Sequence, residues 1–464
     1  MAWWKFWEKQ REPMMQARYD AATVTGENAR HWAMADGYSA DVSMSPMVRR
    51  VLRNNARYEV ANNSYCRRVI LTLAGDCIGT GPRLQLRGCE RSQIRGIEDA
   101  FYDWALEAGL AEKLRVMRQT KIVDGESFGL LTSNPTFEGP VKLDFTLIDA
   151  ERVTSPIDKM DMAVDGIEYD SFGNPLCYHV LSEHPGGMVA FTGNSERVRS
   201  ESMAHWFRVD RPEQHRGISE LTPALPLFAQ LRRYTLAVLS AAESAADVAI
   251  VLSTTAPPAD GGEAMAGKPF NKIRFERGMV TTLPDGWGMN GFQSEQPTTT
   301  YGDFKREILG EVGGALQVPI NIVTGDSSRH NYASGRLDYQ VYHRAIRIER
   351  SHCERTVLRK IFSQWIAEYA VSRDVPNDVR NVIYPFWTWD GFEHVDPVKE
   401  ATGQARRLAS CVTTLADECA KAGGDWVENL EQIAIERKRM VELGITFEGD
   451  KSERENGSSV SGSV

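Results

Sequence analysis

The sequence predicts a mixed α+β chain in which long helices flank a small β-rich segment. Three observations predict it. Apolar residues recur at helical spacing from Pro46 to about Thr120, the period changes to two between residues 122 and 209, and a nearly unbroken helical stretch follows Thr222-Pro223. At 464 residues, 42% hydrophobic and 25% charged, the chain can bury a core. The length suits about three domains or one large composite fold.

Taken in order, the first residues, Met1-Ala-Trp-Trp-Lys-Phe-Trp, read as an aromatic docking arm or as a first turn folded onto the chain itself. Residues 10 to about 45 are polar and irregular. A helix from Pro46 turns Val48, Val51 and Leu52 inward, continues through Tyr65, Val69, Ile70 and Leu73, and stops at Gly75 and the Gly79-Thr-Gly-Pro82 breaker. A second amphipathic stretch spans Ile94 to Thr120. Strands follow at Phe128–Thr132, Leu143–Ile148, Ile167–Tyr169 and Leu176–Leu181, the last two joined by the turn Asp170-Ser-Phe-Gly-Asn-Pro. Thr222-Pro223 starts a helix that runs to about Ser253. Its small residues (Ala237, Ser240, Ala241, Ala242, Ser244) suit close packing against other helices. Turn-rich sequence with short strands at 273–275 and 279–283 comes next. Then come a helix over Phe304–Leu316, a polar loop from Thr324, a long helix from Arg336 to about Val371, and helices at about 398–421 and 425–443. A Ser/Gly tail after Asp450 has a disordered composition.

The bulk numbers exclude several classes. Seven scattered cysteines without a Cys-x-x-Cys pair support neither a zinc knuckle nor a redox motif, and fit free thiols in a reducing, cytoplasmic setting. No apolar run approaches the roughly 18–20 residues that span a bilayer, so no membrane partner is expected. With 54 Lys and Arg against 63 Asp and Glu, a formal charge of −9 argues against a protein that clamps nucleic acid by bulk electrostatics.

Gly262-Glu-Ala-Met-Ala-Gly267-Lys268-Pro269 matches the spacing of a phosphate-binding loop, yet proline stands where the Mg²⁺-binding hydroxyl belongs. The nine histidines form no metal-ligand pattern. Ser327 and Ser328 near His330 offer a serine-hydrolase alternative without an evident third member. On the helix beyond that loop, Arg336, His343, Arg347 and Arg350 fall within about 40° of one line, opposite Val341, Ala345 and Ile348. This basic stripe reads as a solvated face, an intersubunit salt-bridge row or a phosphate contact.

Several stretches, in this order, resemble one known family. They are Arg53-Asn-Asn, Gly79-Thr-Gly-Pro-Arg-Leu-Gln-Leu, Asp124-Gly-Glu-Ser-Phe, Leu147-Ile-Asp-Ala-Glu-Arg-Val, Arg211-Pro-Glu-Gln-His-Arg-Gly-Ile-Ser-Glu-Leu, Val318-Pro-Ile-Asn-Ile-Val-Thr-Gly-Asp and Asn331-Tyr-Ala-Ser-Gly-Arg. Over roughly residues 45 to 410 the chain resembles the lambda-like portal proteins of tailed phages. The resemblance implies a ring, typically of twelve subunits, at one capsid vertex of the virion, assembled in the host cytoplasm. Double-stranded DNA passes through it in packaging and ejection. Implied partners are the terminase large subunit, a head–tail adaptor, and the major capsid and scaffold proteins. By position, it implies an N-terminal arm (1–45), a wing (46–216), a stem helix (217–253), a clip (254–298), a second stem helix (299–318) and a tunnel loop (319–335). A long helix and wing return (336–397), crown-like helices (398–449) and a disordered tail (450–464) would complete the chain. Ser327, Ser328, Arg329, His330 and Asn331 become the DNA-channel candidates. The resemblance implies no catalytic residue, metal or cofactor. The alternatives are the serine hydrolase, an NTPase at Lys268, and a monomeric minor capsid protein. In a ring, twelve copies at −9 each would line the lumen largely with negative charge, which suits a conduit better than a clamp.

Overall fold

The structure is a computed structural model that describes residues 30, 32–88, 91–155, 164–187, 193–246, 250–254, 287–291, 300–373, 375, 383–392 and 396–445. The aromatic start, the phosphate-loop lookalike at 262–269, the strands expected at 273–275 and 279–283, and the tail lie outside the described residues.

After a single turn, α1 (Ala40–Ser43), the helix that starts at Pro46 is two helices, α2 (Pro46–Asn62) and α3 (Ser64–Ile78). The break is Asn63, whose side chain accepts from the backbone N–H groups of Tyr65 and Cys66 at 3.1 and 3.3 Å and so caps α3. Gly75 does not end α3; Gly79, at φ 58°, does. The inward face of α2 is also not the expected one. Val48 and Val51 are exposed, while Arg49, Arg53, Ala56 and Glu59 are buried, because this face meets an ionic cluster rather than an apolar wall.

The stretch 94–120 divides into α4 (Arg91–Glu107) and α5 (Leu110–Asp124), with Gly109 in the left-handed region at φ 62° between them. The four strands predicted between residues 128 and 181 are present, together with six, among the described residues, that the pattern did not reveal. β2 (Glu126–Ser133) is central to an antiparallel sheet, flanked by β3 (Leu143–Ile148) and β7 (Met203–Phe207). β4 (Ile167–Tyr169), β5 (Pro175–Leu181) and β6 (Ser195–Arg199) make a second sheet. β1 (Arg83–Arg87) pairs antiparallel with β10 (Tyr384–Thr388), Leu84 opposite Trp387.

The β-rich segment shares its core with the helices. One apolar core joins Leu131, Phe145 and Trp206 of the first sheet to helices α3, α4 and α5 and to the later helices. Its centre is aromatic: Phe101 meets Trp104, Trp365 and Trp387 at centroid distances of 5.2, 5.1 and 5.6 Å. A smaller core lies between the sheets, around Phe128, Ile167 and Tyr178.

The small-residue helix α6 runs Leu225–Ala246, shorter at both ends than expected. Ile250–Thr254, assigned to that helix from sequence, is instead β8, paired with β9 (Trp287–Gly291); β-branched Ile250, Val251 and Thr254 favour extended backbone. α6 packs on α7 (Thr300–Leu316), with Tyr234 against Phe304 at 4.5 Å. Within the expected loop 319–335 lie a short helix, α8 (Ile320–Thr324), and the start of α9 (Tyr332–Cys353). A π-helical turn (Glu354–Leu358) interrupts the long helix before α10 (Arg359–Arg373). The stretch 398–421 is also two helices, α11 (Pro397–Ala409) and α12 (Leu415–Lys421), followed by α13 (Trp426–Glu442). Cys411, at φ 53°, lies in the turn that separates the first two.

Candidate functional site

Five donors converge on one fully buried carboxylate, Glu126, at the start of β2. Arg216 approaches it side-on, with Nε to Oε2 at 2.8 Å and Nη2 to Oε1 at 2.7 Å. Arg53 of α2 donates at 3.3 Å, the Gly217 backbone N–H at 3.1 Å, and His205 of β7 at 3.2 Å through Nε2. A carboxylate only accepts, so Nε2 carries the proton. Burial alone would raise the Glu126 carboxyl; Arg216 and the His205 hydrogen bond overcome it and hold it well below its ordinary value. Burial holds His205 below its usual value, against the pull of Glu126. The imidazole is therefore neutral at pH 7, stacked between Phe128 at 4.2 Å and Phe207 at 4.3 Å.

Arg216 also donates to the carbonyls of Ala150, Val153 and Asp165, so one side chain ties β2 to the segment before β4. Asp165 in turn pairs with Arg49 of α2. Beside this node, Arg57 spans Asp124 (2.6 and 2.8 Å), Asp149 (3.0 Å) and Glu151 (3.3 Å). A second node joins Arg118 to Glu220 end-on, through both terminal guanidinium nitrogens at 2.9 and 3.1 Å. There Lys121, fully buried, reaches Glu349 of α9 at 2.5 Å.

Local backbone geometry makes these nodes possible. Gly125 sits at φ 92°, and a Cβ on it would lie 2.2 Å from the Ile218 carbonyl carbon. One on Gly217 would lie 2.2 Å from the Gly125 oxygen. Two glycines thus let the 216–220 strand of chain press against the start of β2 and deliver Arg216 and Glu220. The signature stretches around Arg53, Asp124, Asp149 and Arg216, distant in sequence, meet here. Sequence reasoning marked these stretches but not the charged residues as a unit. The available signal was an unusual density of Arg, Asp and Glu inside otherwise apolar motifs.

The channel candidates occupy a different place. Gly325, at φ 74°, ends α8 against the Arg68 guanidinium. From there the chain runs exposed through Ser327, Ser328 and Arg329 to Asn331. Asn331 caps α9, accepting from Ser334 N at 2.9 Å while Ser334 Oγ accepts from Asn331 N. Ser328 N donates to Asp326 Oδ1 at 2.9 Å, and Arg329 meets Asp303 of α7 at 3.4 Å. His330 is half-buried and faces Asp338 at 3.7 Å, while the Ser327 hydroxyl accepts from Asn321. Among the described residues no hydrogen bond joins either serine side chain to the His330 ring. The loop is short, polar and pinned at both ends.

The basic stripe divides. Arg336 and Arg347 are exposed and His343 is half-buried, stacked on Phe392 at 3.7 Å. Arg350 is buried and donates to the carbonyls of Asp76, Cys77 and Asp390 at 2.9–3.0 Å. The helical wheel put the four residues on one line, but the fold exposes Arg336 and Arg347 and buries Arg350. The core-facing line of α9 is Tyr342, Ile346, Arg350 and Cys353, and Val341 and Ile348, read as the apolar side, are exposed.

Among the described residues no group of three or more His, Cys, Asp or Glu could hold a metal, and no helix is long and apolar enough to cross a membrane. The six described cysteines are free, four of them buried. These buried charge pairs fix how α2, β2, β7 and the 216–220 segment sit against one another. The chain belongs to the lambda family of phage portal proteins, whose family profile matches residues 25–350. This family is structural rather than enzymatic. Similar solved structures include the neck of an empty gene transfer agent particle computed with C6 symmetry, at 16% identity over 86% of this chain and 99% of that one, TM-score 0.46. The virion of a native gene transfer agent particle gives 14% identity, 84% and 94% coverage, and TM-score 0.44. An HK97-family portal protein from Corynebacterium diphtheriae gives 13%, 61% and 82%, and 0.30. No curated protein matches the chain.

Proposed function

We propose that the chain assembles as a ring, typically of twelve copies, at one capsid vertex, and that double-stranded DNA passes through it during packaging and ejection. Membership of the portal family over residues 25–350 carries this reading. The terminase large subunit and the head–tail adaptor dock on it, capsid and scaffold proteins surround it, and it needs no cofactor. In this reading residues 46–216 form the wing, α6 and α7 the stem, the segment between them the clip, and α11–α13 the crown. The loop Gly325–Asn331 presents Ser327, Ser328, Arg329, His330 and Asn331 toward DNA. Its support is local: it is polar, exposed, and fixed by α8 and by the Asn331–Ser334 capping box. A wall that DNA slides past needs few cations, since each neutralised phosphate adds salt-dependent affinity. Arg329 is already engaged by Asp303.

The test replaces residues 326–330 with a Gly/Ser linker of equal length. Rings by native mass spectrometry, with loss of DNA packaging or retention, support the assignment. Collapse of the ring makes the loop a structural strut. A wild-type chain that remains monomeric turns the reading toward a minor capsid protein.

A further inference from the structure

Two helices present outward faces that no described element covers, and the faces are opposite in charge. On α9, Leu337, Val341 and Ile348 are 64, 62 and 65% exposed. Their spacing puts them on one line with Arg344, while Arg347 and Arg336 lie about 90–110° round the helix toward one edge of that line; all three arginines are exposed and have no acidic partner among the described residues. On α4, Tyr102 and Leu106 are 53 and 63% exposed, in line with exposed Asp99 and Asp103, which likewise have no basic partner there. Beside Asp103 the α4 face opens into a cleft of about 240 Å³, lined by Trp104, Val141 and Trp365 with Glu107 and Arg373 in its wall.

We infer that the α9 face of one copy packs against the α4 face of the next, setting Arg344 and Arg347 against Asp99 and Asp103. The argument rests on the ring reading and specifies which surfaces close the ring. Arg95, one turn before Asp99 on the same line, is already held by Glu431 at 3.0 Å, so the unpaired charges on each face are alike and α4-to-α4 or α9-to-α9 contact is repelled. Only unlike faces match, and a contact between two different patches is head-to-tail, the geometry that generates rings rather than two-fold dimers. The apolar line supplies burial and the charges fix register and partner face.

The experiment uses the full chain and reads assembly by native mass spectrometry and sedimentation, with circular dichroism as the fold control. Reversing α9 (R344E with R347E) should reduce the assembled fraction at least tenfold, as should reversing α4 (D99R with D103R). Combining all four should restore most of it. A cysteine pair, Leu106→Cys with Val341→Cys, should form a cross-link between subunits and not within one. If wild type forms rings but the reversals assemble normally, or the fourfold variant fails to recover and the cysteines do not cross-link, this interface is wrong and the ring reading stands. If wild type forms no oligomer at any concentration, the ring reading itself falls and takes the interface with it. Should a reversed variant fail to fold, the cysteine pair on native charges decides.

Discussion

Arg216 and Glu126 form a two-pronged ion pair, 2.7 and 2.8 Å, with neither side chain in appreciable contact with water. Breaking one half leaves a buried charge with nothing to balance it. Glu126→Leu should therefore cost about 3–5 kcal/mol by urea denaturation. Arg216→Met should cost a comparable amount. The double variant should be more stable than either single one, because it removes both charges and leaves apolar volume. Additive losses would show that the two residues act independently.

Acid should weaken the fold in two stages. Burial first, with Lys121 nearby, brings His352 down to about 4, and burial likewise depresses His205. A depressed folded value means that the unfolded chain takes up protons first, so stability is complete above about pH 6.5 and declines as pH falls from there toward 4. Glu220 follows. Burial would raise it, but Arg118 and Lys121 bring it to about 2, so its contribution is present above about pH 4.3 and is lost as pH falls toward 2. The urea midpoint should thus be flat from pH 8 to 7 and fall below 6.5, with a shallower upper stage in His352→Gln. A midpoint that rises on acidification would contradict these signs.

Gly217→Ala should destabilise by about 2–3 kcal/mol, because its methyl would meet the Gly125 carbonyl, which cannot move without shifting β2. Gly37→Ala, likewise without a positive φ and with nothing within 4 Å of its Cβ, is the control for the loss of glycine's backbone freedom alone. Thermal melts of both variants separate steric overlap from backbone preference.

Asn331→Ala should cost about 1 kcal/mol through loss of the α9 cap. Asn331→Asp, which keeps the acceptor, should retain most of that stability. If packaging falls in both variants while melting changes only in the first, the residue has a role beyond capping.

Much of the fold was legible in sequence wherever period and punctuation agree. Leu143–Ile148 and Leu176–Leu181 are short apolar-rich runs, the second opened by the turn Asp170–Pro175, and both are strands. What stayed hidden has physical reasons. Arg49, Arg53 and Arg350 are buried because carboxylates or carbonyls await them, whereas hydrophobic patterning assigns charge to water. β1 could not be paired from its own residues, since its partner lies at the far end of the chain. Ile250–Thr254 follows a helix-forming run without a breaker, and only pairing with Trp287–Gly291 makes it a strand. The loop Gly325–Asn331 was legible as a loop, but its stiffness comes from the cap and Gly325.

The pairing of Arg83–Arg87 with Tyr384–Thr388 sets a clock on synthesis. The ribosome must make some 300 further residues before the first strand meets its partner, roughly 15–60 s at bacterial elongation rates. Until then Leu84 and Leu86, buried in the finished fold, have α4 beside them but no covering strand. A nascent chain is therefore unfinished at its centre until it is nearly complete, and that interval is when chaperones matter most to its yield.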